Sequence, residues 1–160
     1  MRIMDESDTS GAAIVESLGG RDLNQNGKII NLAISGNSRF YNYEWLDSQL
    51  NIWIKNNDFP DLIIVGGASG IDCLVEEWSE KNSIPIAVFN EAWNQPRMGL
   101  KDTGRPEASP SLVDIMLDHA THVLAFPGPK SKWTSIMINR ANERGINSDE
   151  ISTPLELENQ

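Results

Sequence analysis

The residues best placed to do chemistry in this chain are Gly66, Gly67, Ala68, Ser69, Gly70 and Asp72, which sit between two apolar segments of different period. Before them, Leu62 to Val65 has the length and β-branching of a buried strand. After them, Ile71, Leu74, Val75 and Trp78 fall at i, i+3, i+4 and i+7, one face of a helix. Strand, glycine loop and helix together present backbone N–H groups at a helix N-terminus, where the dipole favours an anion such as phosphate. The glycines allow close backbone approach and positive φ. The segment is neither a Walker A loop nor a spaced G-x-G-x-x-G. A tight βα turn without a ligand is the competing reading.

Further candidates lie in other segments. Ser35, Gly36, Ser38 and Arg39 follow an apolar run, and Gly128, Lys130, Ser131, Trp133 and Thr134 follow another. A guanidinium at Arg39 suits phosphate or carboxylate, and Lys130 is a second cation. The serine and threonine hydroxyls can donate to a ligand, although these residues populate loops and caps anyway. Trp93 and Trp133 offer stacking faces for a base, or else plain packing. Asp72 has two readings: holding a ribose hydroxyl or activating a water, against complementing the helix dipole. Cys73 has no histidine near it in sequence and reads as a buried small residue. His119 and His122 lack further ligands at metal spacing, so no metal site and no cofactor is expected.

The elements that must position these residues alternate. The pattern predicts strands at 29–35, 61–65, 84–89 and 121–126, with helices at 42–56, 71–82, 111–119 and 133–144. Gly145 marks a helix end. Residues 1–27 read as a mobile leader or an arm on a partner subunit, 28–147 as the domain, and 148–160 as a tail with an edge strand at Ile151–Leu157. The alternation predicts an α/β fold: three layers, a mostly parallel sheet of four or five strands, and helices on both faces. The loops at 36–40, 66–72, 90–110 and 127–134 would converge at the carboxyl ends of the strands.

Composition narrows the function. Thirteen Lys and Arg against 23 Asp and Glu give a formal charge of −10, which opposes broad contact with nucleic acid or anionic membrane. Arg39, Arg97, Lys101, Arg105, Lys130 and Lys132 nevertheless fall in the predicted pocket loops, diluted by Glu91, Asp102 and Glu107. One cysteine fits a reducing cytosol, and no apolar run reaches membrane-spanning length. The N-terminus carries no signal-peptide core, so a cytoplasmic protein is expected, in host cytoplasm if viral.

The residues Ser35-Gly36-Asn37-Ser38-Arg39-Phe40, Gly66-Gly67-Ala68-Ser69-Gly70-Ile71-Asp72, and Met116-Leu117 through Ala125-Phe126 to Lys130-Ser131 and Thr134 resemble the SLOG superfamily. That group joins the Smf/DprA DNA-processing proteins, the Lonely-Guy phosphoribohydrolases and short bacterial and phage members of a YspA-like branch. The resemblance covers residues 29–145. It implies a Rossmann-like sheet that holds nucleotides or their derivatives, and a dimer. Trp133 stands where the branch has a glycine, and Leu112-Val113 where it often has Arg-Asn. Met137 stands where the phosphoribohydrolases carry a glutamate, which puts that chemistry in doubt.

The expected function is binding of a nucleotide-derived ligand as a sensor or sequestering protein: amides of 66–70, Arg39 and Lys130 on phosphate, Asp72 on sugar. Two alternatives stand beside it. One is N-glycosidic hydrolysis of a nucleoside monophosphate with Asp72 or Glu91 as the carboxylate. The other is a non-enzymatic interaction protein with an acidic surface. Action on single-stranded DNA is disfavoured by charge.

Overall fold

A computed structural model describes residues 11–89 and 106–158. Its sheet has five strands, all parallel, in the order β3-β2-β1-β4-β5. The strands are β1 (Asn31–Gly36), β2 (Leu62–Val65), β3 (Ile86–Val88), β4 (His122–Phe126) and β5 (Asn147–Glu150). The helices are α1 (Gly11–Leu18), α2 (Tyr43–Asn57), α3 (Ile71–Lys81), α4 (Pro110–Leu117) and α5 (Lys132–Glu143). This is the Rossmann-like three-layer α/β arrangement expected from the alternation.

β1 and β2 are buried at every position, because helices cover both faces of the sheet. Leu32, Ile34, Ile63, Val65, Leu124 and Phe126 point to one core, which α2 and α3 close with Leu46, Leu50, Trp53, Leu74 and Trp78. Ala33, Leu62, Ile64, Ala87 and Val123 point to the other, closed by α1, α4 and α5 through Val15, Leu112, Met116 and Met137. Alternate strand residues thus feed opposite layers. α2 begins at Asn42, whose side chain accepts the Trp45 N–H at 2.9 Å. α3 buries Ile71, Leu74, Val75 and Trp78, the face its periodicity predicts.

Two expectations are corrected at the ends of the chain. Part of the segment read as a mobile leader is ordered: Gly11–Leu18 is a helix, and Val15 is buried against the sheet. Its start lies so close to β3 that a Cβ at Gly11 would stand 2.6 Å from the Val88 carbonyl oxygen. The segment lies between polar, glycine-containing stretches with no sustained period, so its one short apolar face does not stand out in the sequence. Further along, the Asn24 amide group donates to the Phe59 and Pro60 carbonyls, and its backbone N–H donates to Asp61.

The edge strand is also displaced. β5 is the polar run Asn147–Glu150, and Leu155–Leu157 forms a 3-10 turn after Pro154 instead of a strand. A strand this polar is held by backbone pairing to β4, and charged residues suit an exposed sheet edge.

Asp149 on β5 accepts the Trp53 indole N–H at 3.2 Å, and the Trp53 ring meets His122 edge-on at 5.8 Å between centroids. Burial lowers the His122 pKa below 6.5, against an opposing pull from Asp149. The unfolded chain therefore binds a proton before the folded one does as pH falls. Stability from this group is present above pH 6.5 and is lost as pH drops from there through the folded pKa, below which the loss levels off. Urea midpoints measured between pH 8 and 5 are expected to fall less in His122→Gln than in the parent chain; parallel profiles would refute the assignment.

Candidate functional site

β1 lies between β2 and β4 in the sheet, and the two connections leave on opposite faces. From β1 the chain passes through α2 and α3 on one face to β2 and β3; it then crosses to α4 and α5 on the other. The gap between the β1 and β4 loops is the topological switch point, where such sheets bind ligands.

Asn37 organises that gap. Its N–H donates to the Phe126 carbonyl at 2.9 Å, and its own carbonyl accepts the Phe40 and Ile71 N–H groups at 3.3 and 3.1 Å. Its side-chain oxygen accepts the Arg39 N–H at 3.0 Å, and its amide nitrogen donates to the Thr153 hydroxyl at 3.1 Å. One residue thus ties β1, the β4 loop, the start of α3 and the C-terminal segment together. Two glycines make room for it. A Cβ at Gly70 would lie 2.3 Å from the Asn37 carbonyl oxygen, and one at Gly128 would lie 2.3 Å from the Asn37 amide nitrogen. Gly36 is similarly crowded by Ile71 and the Phe126 carbonyl.

The glycine loop is packed into the protein. Residues 66–70 are all buried. The Ala68 N–H donates to the Asp72 carboxylate at 3.1 Å, and a Cβ at Gly66 would stand 2.8 Å from the Ala108 methyl. Asp72 is 0 % exposed. Its carboxylate closes its own loop at the N-terminus of α3, where the capping residue Gly70 has no side chain to do so. Ser69 is buried as well.

At the start of α5, Thr134 is 0 % exposed and engaged on two sides. Its hydroxyl donates to Glu107 and shares a 2.9 Å hydrogen bond with the buried Ser35 hydroxyl. Its N–H donates to the same Glu107 oxygen at 3.1 Å. Ser131, also buried, accepts the Gly128 N–H at 2.8 Å and fixes the β4 loop. Trp133 is half-buried in the first turn of α5.

In front of these residues opens a cleft of about 370 Å³ lined by Asn37, Ser38, Arg39, Glu107, Pro129, Lys130 and Glu158. Of the candidate residues named from sequence, it gathers Ser38, Arg39 and Lys130. Ser35, Gly36, Gly66, Gly67, Ala68, Ser69, Gly70, Asp72, Gly128, Ser131, Trp133 and Thr134 stand behind or beside it and do not line it. Trp93 lies outside the described residues, as do Glu91, Arg97, Lys101 and Arg105. A larger, shallow hollow of about 650 Å³ runs past His122 and Asn147 at the amino ends of β4 and β5, away from the switch point.

Asn37 and Glu107 are the residues that reading by motif passes over. Asn37 sits inside a motif whose neighbours draw attention as ligand donors. Glu107 is 27 residues from its partner Thr134, a separation no local pattern signals. Met137 is buried among the sheet side chains, so α5 presents no carboxylate from that position; the carboxylate near its N-terminus comes from Glu107. Comparison of the chain with protein-family models, curated proteins and solved structures finds no match. Among the described residues no helix is long and apolar enough to cross a membrane.

Proposed function

We propose that this protein binds a nucleotide or nucleotide-derived ligand in the cleft between the β1 and β4 loops, as a sensor or sequestering protein of the SLOG type. One observation carries the reading: Arg39 and Lys130 project from two different loops into one switch-point cleft of mononucleotide size. Both are exposed, and neither forms an ion pair among the described residues. Glu107 and Glu158 line the same cleft, so it favours a ligand that brings an anion for the two uncommitted cations and hydrogen-bond donors for the carboxylates.

In this reading the phosphate rests on the two side chains, with the Asn37 scaffold holding Arg39 in place. The 66–70 loop contributes by shaping the floor. Its residues are all buried and the Ala68 N–H is taken by Asp72, so the loop holds the cleft's shape from behind.

Calorimetric titration with a panel of nucleoside mono- and diphosphates tests the proposal. Binding is expected for at least one member, weakened about 10- to 100-fold in Arg39→Ala, the loss of a charge-assisted phosphate contact. Lys130→Ala is expected to weaken binding less and to flatten its salt dependence. Absence of binding across the panel at millimolar ligand would sink the proposal.

A further inference from the structure

We infer that Glu107 sets the specificity of the cleft: it bars a phosphate from the N-terminus of α5 and accepts a sugar hydroxyl, leaving the ligand's anion to Arg39 and Lys130. The inference rests on the ligand-binding reading above and deepens it by naming the chemistry the cleft accepts.

Glu107 reaches α5 from the segment before α4, and one of its carboxylate oxygens takes both the N–H and the hydroxyl of Thr134. At this point of α5 the Thr134 N–H and hydroxyl are therefore already taken by a carboxylate, while the Lys132 and Ser135 N–H groups bond to the Lys130 and Ser131 carbonyls. A phosphate brought to the same place would face that carboxylate at a few ångströms, and like charges this close oppose one another strongly away from bulk water. Thr134 is fully buried, with Ser35 bonded behind it, so the ligand has no second approach to those donors.

The carboxylate is not used up by Thr134. An ionised carboxylate offers about four acceptor positions and no donor. Glu107 also lines the cleft, so its remaining capacity is available there to a hydroxyl or amine. Arg39 and Lys130 are the reverse, since their side-chain head groups only donate. Glu158 also lines it, so the cleft carries both signs of charge: a well-matched occupant brings an anion for the two cations and hydrogen-bond donors for the carboxylates. A pentose phosphate unit has both within the reach of a 370 Å³ space. Inorganic pyrophosphate has only the anion. The preferred class is therefore a nucleoside 5′-monophosphate or a free pentose phosphate with its hydroxyls intact.

The test compares the parent chain with Glu107→Gln, which keeps an oxygen for Thr134 and removes the charge. The probes are adenosine 5′-monophosphate, its 2′,3′-dideoxy analogue, ribose 5-phosphate and pyrophosphate, titrated by calorimetry. The parent chain is expected to prefer the hydroxylated nucleotide about 10-fold or more over the dideoxy analogue, the size of a hydrogen bond to a charged group. In Glu107→Gln that preference should collapse: the hydroxylated ligand weakens, the dideoxy ligand stays within about 2-fold, and pyrophosphate gains. Equal affinity of the parent for the two nucleotides would overturn the inference and leave nucleotide binding standing. Tighter binding of the hydroxylated ligand by Glu107→Gln would also overturn it, because Glu107 would then be only an obstruction. Glu107-dependent binding of ribose 5-phosphate without any nucleotide binding would support the inference and sink the nucleotide reading. No binding of any probe to the parent chain would overturn both.

Discussion

Gly70→Ala is expected to destabilise the protein by about 3 kcal/mol or more and to lower its melting temperature by roughly 10 °C. Two independent costs fall on this residue. Its backbone sits at φ 69, ψ −123, a region that L residues scarcely enter. In addition, the new methyl would lie 2.3 Å from the Asn37 carbonyl oxygen and 2.4 Å from the Ser38 carbonyl carbon, both of them backbone atoms that cannot swing aside. Gly145 supplies the control. It has nearly the same φ, 72°, but nothing within 4 Å of an added Cβ. Gly145→Ala should therefore cost only about 1 kcal/mol for the left-handed backbone. Thermal unfolding of the two variants beside the parent measures what the crowding and the ψ −123 backbone at Gly70 add together. Equal shifts would mean that the approach of Asn37 to Gly70 contributes nothing, and the account of the switch point built on Asn37 would fail.

That comparison also explains why the glycine loop was only half legible in sequence. A glycine that admits a phosphate and a glycine that admits its own protein's backbone satisfy the same requirement, the absence of a Cβ, and leave the same letters. Gly66, Gly70 and Gly128 are accounted for by Ala108 and Asn37, atoms of this chain. What the letters did carry was the architecture. Ile71, Leu74, Val75 and Trp78 form a face because their spacing matches the helical period, and all four are buried. The apolar runs in β1, β2 and β4 are strands covered on both sides, and their alternation with helices leads to a parallel sheet and its switch point. α1 and β5 escaped for opposite reasons. α1 has a short apolar face lost among polar and glycine-containing flanks, whereas β5 is specified by backbone pairing at a polar edge and has no hydrophobic pattern to show. Arg39 and Lys130 were legible because cations after strand ends stand out in an acidic chain. Glu107 was not, because its role depends on a tertiary contact with Thr134.

Asp72 decides between two accounts of the loop, and the accounts differ in what its loss should do. If the carboxylate works on a ligand, its replacement lowers affinity or turnover and leaves stability nearly untouched. The geometry argues for the other outcome. A side chain with 0 % exposure, bonded to the Ala68 N–H and seated in the first turn of α3, holds the loop shut from inside. Asp72→Ala removes a hydrogen bond to a charged acceptor, about 1.5–3 kcal/mol, and a negative charge beside a helix N-terminus, about 0.3–1 kcal/mol. A loss of about 3 kcal/mol and a fall of roughly 6–12 °C in melting temperature are expected. Asp72→Asn retains an oxygen for Ala68 but not the charge, so it should fall between the parent and the alanine variant. Urea unfolding gives the stability order, and nucleotide titration well below the unfolding transition gives the affinity of the molecules that remain folded. The expected pattern is a stability order of parent, asparagine, alanine with affinity changed much less than in Arg39→Ala. A stable Asp72→Ala protein that had lost its ligand would reverse the assignment, and would require the loop to open so that this carboxylate reaches the cleft.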